Sequence, residues 1–143
     1  MKKGLSGRLA LDSSSLLELV YSTPLGLRLK EALYQEDVEA YTSELGVAEV
    51  RYVLCRKIGW IQSEARAEKL FSSGYIAVED CASLIRDASA YKCSRALSLA
   101  DCFTLALAKK TVGKAVFARK EQELANEMEK LPFDVSIVFL EDF

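Results

Sequence analysis

The sequence predicts an α/β domain built on a mainly parallel central sheet. Three observations lead there. Short apolar runs of strand length alternate with longer stretches of helical periodicity. The first run stops at a carboxylate, Asp12, and a helical pattern starts at once. The chain has 143 residues and no composition break or low-complexity stretch, so one domain over 1–143 with its own core is expected.

Leu9, Ala10 and Leu11 form the first apolar run, read as a buried strand. Leu16, Leu17 and Val20 give a short helix reaching Tyr21, and Ser22 to Pro24 break it. Thr23 is placed to cap a second helix with Pro24 at its first position, and Leu25, Leu27, Leu29, Ala32 and Leu33 give that helix an apolar side to about Gln35. Val38 to Tyr41 is a short strand. Thr42 and Ser43 introduce a long helix that Gly59 ends. Ser63 is expected to cap a helix over Glu64 to Ser72, terminated by Gly74. Tyr75 to Val78 reads as a strand, and Asp80 or Cys81 opens a helix reaching Tyr91. Ser98 caps a helix over Leu99 to Thr111 that is apolar almost all round and so buried on most sides. Gly113 is expected to close it. Ala115 to Ala118 is a strand, Gln122 to Lys130 a helix and Val135 to Leu140 the last strand. Met1–Gly7 and Glu141–Phe143 are expected to be loose.

Composition narrows the chemistry. Half of the residues are hydrophobic and 28% are charged, as in an ordinary globular protein. A formal net charge of -2 gives no overall field for nucleic acid, so any such contact needs a local basic patch. The chain has no histidine, which excludes Ser-His and Cys-His nucleophilic triads and a His general base. Cys55, Cys81, Cys93 and Cys102 form no CxxC pair, which argues against zinc. Three of them fall on apolar helix positions, so buried free thiols are expected. No signal-peptide pattern is visible and no apolar run approaches the ~18 residues of a membrane span. The expected compartment is the cytoplasm.

Carboxylates are the remaining chemistry. Asp12, between a strand and a helix, lies at the C-terminal edge of the sheet, where open α/β sheets bind ligands; alternatively it only caps the helix. Glu49 sits near the buried border of its helix, costly unless paired, hydrogen-bonded or metal-bound; a pair with Arg51 or Arg56 is the plainer alternative. Glu44 is already explained by the helix dipole. Ser98-x-x-Asp101 is a capping-box-like pattern, a complete structural explanation in itself. Yet Asp101 opens the most apolar helix and is aimed at whatever stands at its N-terminus. If that is Asp12, the two carboxylates repel by ~4 kcal/mol at an effective dielectric of about 20. Mg²⁺ or Mn²⁺ would resolve the conflict with an all-oxygen ligand set and water. Glu121 and Glu123 follow the fourth strand, Glu121 nearer its end; acids enriched in a first helical turn account for them equally well.

These residues resemble the PIN domain, and within it the VapC-type toxins of prokaryotic toxin–antitoxin pairs. Asp12 in LALDSSSLL matches the first-strand aspartate, with Ser13 as the following hydroxyl. Glu49 in AEVRYVL matches the helix glutamate, and Asp101 in LSLADCFTLALA the third acid in its usual S-x-x-D-x-x-x-x-A-x-A context. The resemblance covers nearly the whole chain. It departs at the fourth acid, where T-x-D-x-E-L is common and this chain has RKEQEL: Arg119 replaces Thr and Glu121 replaces Asp.

The resemblance implies a three-layer α/β/α sandwich with an acidic pocket at the sheet edge. Asp12, Glu49 and Asp101 would bind Mg²⁺ or Mn²⁺, Glu121 would complete the catalytic set, and Ser13 would steady Asp12 or a water. The activity implied is endoribonuclease cleavage. A small antitoxin would insert a peptide into the active-site groove and cover it, and a homodimer is implied. The early helices, Leu16–Gln35 and Glu64–Ser72, carry residues suited to an interface. RNA would need cations around the acids: Arg51, Arg56 and Arg119 lead, with Lys57, Arg95, Lys109, Lys110, Lys114 and Lys120 as further candidates, each otherwise a solvated surface charge. Tyr52 or Tyr91 would stack on a base or simply edge the core. The competing readings are a catalytically impaired PIN-like module that binds RNA or protein, and a phosphoacceptor receiver domain. No GxGxxG follows the first strand, which excludes a Rossmann site.

Overall fold

The computed structural model describes residues 5–143. Five strands form one sheet: β1 (Gly7–Leu11), β2 (Val38–Ser43), β3 (Ile76–Glu79), β4 (Lys114–Phe117) and β5 (Ser136–Phe139). The order across the sheet is β3-β2-β1-β4-β5, and every pairing is parallel. Parallel neighbours need crossovers. These are α1 (Ser13–Val20) with α2 (Pro24–Leu33), α3 (Glu44–Ile58) with α4 (Trp60–Phe71), α5 (Ile85–Ser94) with α6 (Leu99–Thr111), and α7 (Gln122–Lys130). The expected α/β/α sandwich is the architecture found.

Period-two alternation along the central strands builds the two cores. Leu9, Leu11 and Val116 meet Leu16, Leu29, Val50 and Leu54 of α1–α3 on one face. Ala10, Ala115 and Phe117 meet Ala88, Leu105, Ala108 and Leu124 of α5–α7 on the other. The strand order reverses between β1 and β4, so their C-terminal ends diverge into crossovers on opposite sides. A crevice at that switch point follows from topology alone.

Four sequence expectations need correction. Ser63 caps nothing: α4 begins at Trp60, and the Ser63 hydroxyl donates to the Trp60 carbonyl at 2.9 Å. Gly59, at φ +85°, turns the chain from α3 into α4 within one residue, so no linker is needed. Gly113 is not the left-handed cap of α6; Val112 is, at φ 53°. Gly113 is needed for space, since a Cβ there would lie 2.5 Å from the Arg8 carbonyl oxygen. Of the four thiols, all free, only Cys102 is buried; Cys93 is exposed, and Cys55 and Cys81 are partly so.

The fourth concerns the termini. Met1 to Gly4 lie outside the described residues, but Leu5 is buried in the core and Gly7 opens β1. Residues Leu140–Asp142 form a 3-10 turn, with the Glu141 N–H donating to the Ala118 carbonyl at 3.2 Å. Its carboxylate accepts from the Lys120 N–H at 3.1 Å. The end of the chain thus holds the loop that follows β4.

Candidate active site

Asp12 is the first residue past β1. Its N–H donates to the Val116 carbonyl at 3.0 Å, extending the β1–β4 ladder by one rung. Extended at ψ 155°, it caps α1, and its Oδ2 accepts from the Ser14 N–H at 3.1 Å. Oδ1 accepts from the Thr104 hydroxyl at 2.8 Å. Only 6% of the residue is exposed. Burial pushes its pKa up, and the hydrogen bonds from Ser14 and Thr104 pull against that rise. Asp12 is therefore a helix cap whose buried carboxylate also accepts a bond from across the sheet edge, at Thr104.

The three serines after it do three jobs. Ser13 donates to Glu49 Oε1 at 3.0 Å. The Ser14 hydroxyl accepts from the Ala118 N–H at 3.1 Å, tying α1 to the end of β4. Ser15 is fully buried and donates to the carbonyls of Asp12 and Val116, both at 2.9 Å. Thr42 on β2 completes the frame by donating to the Leu11 carbonyl at 3.1 Å. The backbone around Asp12 is thus fixed from β2, β4 and α1.

Glu49 arrives from α3, half-buried. Burial raises its pKa first, the Asp12 charge adds to the rise, and the Ser13 bond opposes it. Arg51 does not pair with it; its guanidinium is held by Glu64 of α4 at 2.7 Å. Asp101 stands in the first turn of α6, where its own N–H donates to the Ser98 hydroxyl at 3.1 Å. Its carboxyl is pushed up to about 7, first by burial, then by the charges of Asp12, Glu49 and Glu123. So Asp12, Glu49 and Asp101 share one electrostatic environment. No ion pair among the described residues involves any of them.

Glu121 stands elsewhere. It is the exposed cap residue before α7 and lines a hollow with Glu18, Arg56, Lys57 and Arg119. The fourth acid that acts on Asp101 is Glu123. Arg119 pairs with Glu18 at 2.5 Å, and Arg56 lies over the Tyr52 ring at 5.1 Å. Tyr91 is buried, with its hydroxyl donating to Asp134, so it edges the core; Tyr52 is exposed. Lys109 and Lys110 pair with Asp134 and Glu79, and Arg95 donates to the carbonyls of Glu127, Leu131 and Pro132.

The donor set suits a hard divalent cation: all oxygens, with the Asp12 charge felt at both Glu49 and Asp101 and no ion pair to any of the three among the described residues. Among the described residues no three His, Cys, Asp or Glu side chains stand close enough to hold an ion by themselves. The arrangement therefore fits a largely hydrated ion touched directly by one or two carboxylates, which is how Mg²⁺ is commonly held.

Thr104 and Ser14 are not singled out by the sequence, and of the pair Glu121 and Glu123 the sequence favours Glu121. Thr104 had a signal: it is the one hydroxyl within the apolar run Ala100–Ala108, three residues past Asp101 and so on the same helix face. Apart from the acids, a groove of about 620 Å³ opens between the early helices, lined by Lys30 and Leu33 of α2 and Arg66, Lys69 and Leu70 of α4.

A family model of the PIN domain matches residues 9–122. No curated protein matches the chain. Among solved structures, VapC20 of Mycobacterium tuberculosis, a sarcin–ricin loop cleaving toxin, is 20% identical with a TM-score of 0.65, covering 84% of this chain and 94% of that one. FitAcB from Neisseria gonorrhoeae is 21% identical with a TM-score of 0.61, covering 95% and 99%. FitAB bound to an IR36 DNA fragment is 20% identical with a TM-score of 0.55, covering 93% and 94%.

Proposed function

The chain belongs to the PIN domain family, and from that premise we propose that it is a metal-dependent endoribonuclease, the toxin of a toxin–antitoxin pair. The observation that carries the reading is the coupling of Asp12, Glu49 and Asp101: burial raises the pKa of all three, the Asp12 charge raises the other two further, and Ser13 beside Asp12 donates to Glu49. A buried cluster of like charges is a cost that only a cation or bound protons relieve. The fold shared with a loop-cleaving toxin and with FitAB is in keeping with it.

Asp12 and Asp101 would hold Mg²⁺ or Mn²⁺, with Glu49 touching it directly or through water. When bound, the ion lowers the pKa of water and offsets charge building on the phosphate. The protein's own groups do the rest. Thr104 and the Ser14 N–H hold both oxygens of Asp12 in one orientation. Ser13 fixes Oε1 of Glu49, so that carboxylate can orient a water and take its proton. The antitoxin would insert a peptide over the acids and cover them, and the groove of α2 and α4, with Lys30, Arg66 and Lys69 beside Leu33 and Leu70, would take an acidic, amphipathic part of it. The same reading puts the protein in the cytoplasm; no described helix is long and apolar enough to cross a membrane.

The test is cleavage of a mixed RNA substrate with Mg²⁺, Mn²⁺ or EDTA, alongside Asp101→Asn. Cleavage should require the metal and fall at least ~10³-fold in the variant, the loss expected when a metal-bound water is no longer generated. Metal-independent cleavage, or an active Asp101→Asn, would remove the reading.

A further inference from the structure

The acids give a phosphodiester no electrostatic anchor, yet cations stand close by. A hollow of about 530 Å³ lies between α1, α3 and the loop after β4. Ser14 forms part of its wall while donating its N–H to Asp12, so the hollow and the acids share an edge. Arg56 and Lys57 line it. They follow Glu49 by seven and eight residues on α3, two turns along the same face, about 10–12 Å away at 1.5 Å per residue. Arg119 lines it from the β4 side, its guanidinium held by Glu18, which in turn accepts from Thr23. Against Glu18 and Glu121 these three cations leave one positive charge, beside a cluster that is wholly negative.

A second observation points to a ligand. Tyr21 lines the same hollow beneath Lys57, whose ammonium lies 4.6 Å from its ring. Its hydroxyl is the one buried side-chain polar atom among the described residues with no hydrogen-bond partner. A buried donor without an acceptor costs free energy, so turning that hydroxyl toward a phosphate in the hollow gives up no existing bond.

We propose that this hollow is a backbone-phosphate subsite for single-stranded RNA. Arg56, Lys57 and Arg119 hold the phosphate neighbouring the one at the acids, and Tyr21 donates to it. The proposal rests on the nuclease reading for its substrate, but its test does not depend on cleavage.

The probe is a fluorescein-labelled random 12-nucleotide RNA pool, titrated by anisotropy in EDTA at several salt concentrations. Arg56→Gln/Lys57→Gln should weaken binding at least tenfold and reduce the slope of log K against log salt by about 1.4, that is 0.7 for each lost contact. Lys30→Gln/Lys69→Gln makes the same charge change in the other groove and should move the slope by much less. Tyr21→Phe, which leaves every charge in place, should weaken binding about threefold. Equal losses from both double variants, or an unchanged slope in the first, would overturn the subsite even if cleavage is normal. Binding that depends on Arg56 and Lys57 in a protein that never cleaves would keep the subsite and remove the nuclease.

Discussion

Asp12 and Glu127 are acids of nearly equal burial, 6% and 4% exposed, in opposite surroundings. Glu127 on α7 has two cations, Lys130 at 3.1 Å and Arg95 at 3.9 Å. Arg95 in turn donates to the carbonyls that end α7 and lies 3.8 Å from the Phe133 ring centre. Every charge there is answered, and the cluster joins α5 to α7. Asp12 has only neutral donors, and its charged neighbours are other acids. Burial by itself thus separates nothing; the sign of the surrounding charge does. A buried acid with its cation is a fastening, and one without is, in the reading proposed above, a place for a metal ion.

The largest test sets these two against each other. Asp12→Asn should abolish cleavage, a fall of ~10³-fold or more, with stability unchanged or raised. Glu127→Gln should cost about 3 kcal/mol, because Arg95 is left buried without its charge partner, while molecules that remain folded cleave normally. Denaturant unfolding beside specific activity reads both. If Asp12→Asn unfolds the protein, or Glu127→Gln abolishes turnover in folded protein, the contrast collapses.

Thr104→Val should come next. It removes one neutral donor from Asp12 at nearly constant volume. Metal affinity and cleavage should fall about 10- to 100-fold, as is typical when an outer partner of a metal-binding carboxylate is lost. The Asp12 pKa should rise further, shifting the pH profile upward. A loss of stability with an unmoved profile would make Thr104 a core residue only.

The pH dependence sharpens the contrast. Asp101 has a folded pKa of about 7 against an ordinary 3.8, so between those values the folded protein keeps a proton that the unfolded chain has released. Its contribution is complete below about pH 4 and is lost as pH rises through about 7. Asp12 and Glu49 shift in the same direction. In EDTA the melting temperature should therefore fall between pH 5 and pH 8, and Mg²⁺ or Mn²⁺ should restore several degrees at pH 8 but little at pH 5. Asp101→Asn should flatten that slope. A flat wild-type profile would mean that the carboxylates do not sense one another.

The smallest expected effect separates the two acids after β4. Glu123→Gln should lower the Asp101 pKa and weaken metal binding a few-fold, whereas Glu121→Gln should leave calorimetric metal affinity unchanged. The reverse outcome would return Glu121 to the site.

Periodicity made most of this architecture readable. Leu9 and Leu11 face one layer and Ala10 the other, so the first strand announces a sheet covered on both sides. Asp12, Glu49 and Asp101 could be picked out as candidates because each sits in or beside an apolar pattern where a carboxylate is expensive. What stayed hidden depends on direction in space. Glu121 and Glu123 are two residues apart, but one caps α7 facing Arg119 and the other lies in the first turn acting on Asp101. Ser63 has the composition of a cap and the position of a buried helical residue. Thr104 matters only because α6 crosses the end of β1, which no local pattern states.

The bonds that make the site span long stretches of chain. Thr104 reaches Asp12 across 92 positions, and Ala118 reaches Ser14 across 104. The loop after β4 is then fastened by Glu141. Contacts of such separation form late, after their loop-closure entropy has been met. During synthesis Asp12 emerges before Thr104 and β4, so it has neither partner nor a closed edge until some 92 further residues have followed. A nascent or half-folded chain therefore carries the acids without the frame that holds them, and the same fastening that completes the fold would, in the reading proposed above, set the moment at which cleavage becomes possible.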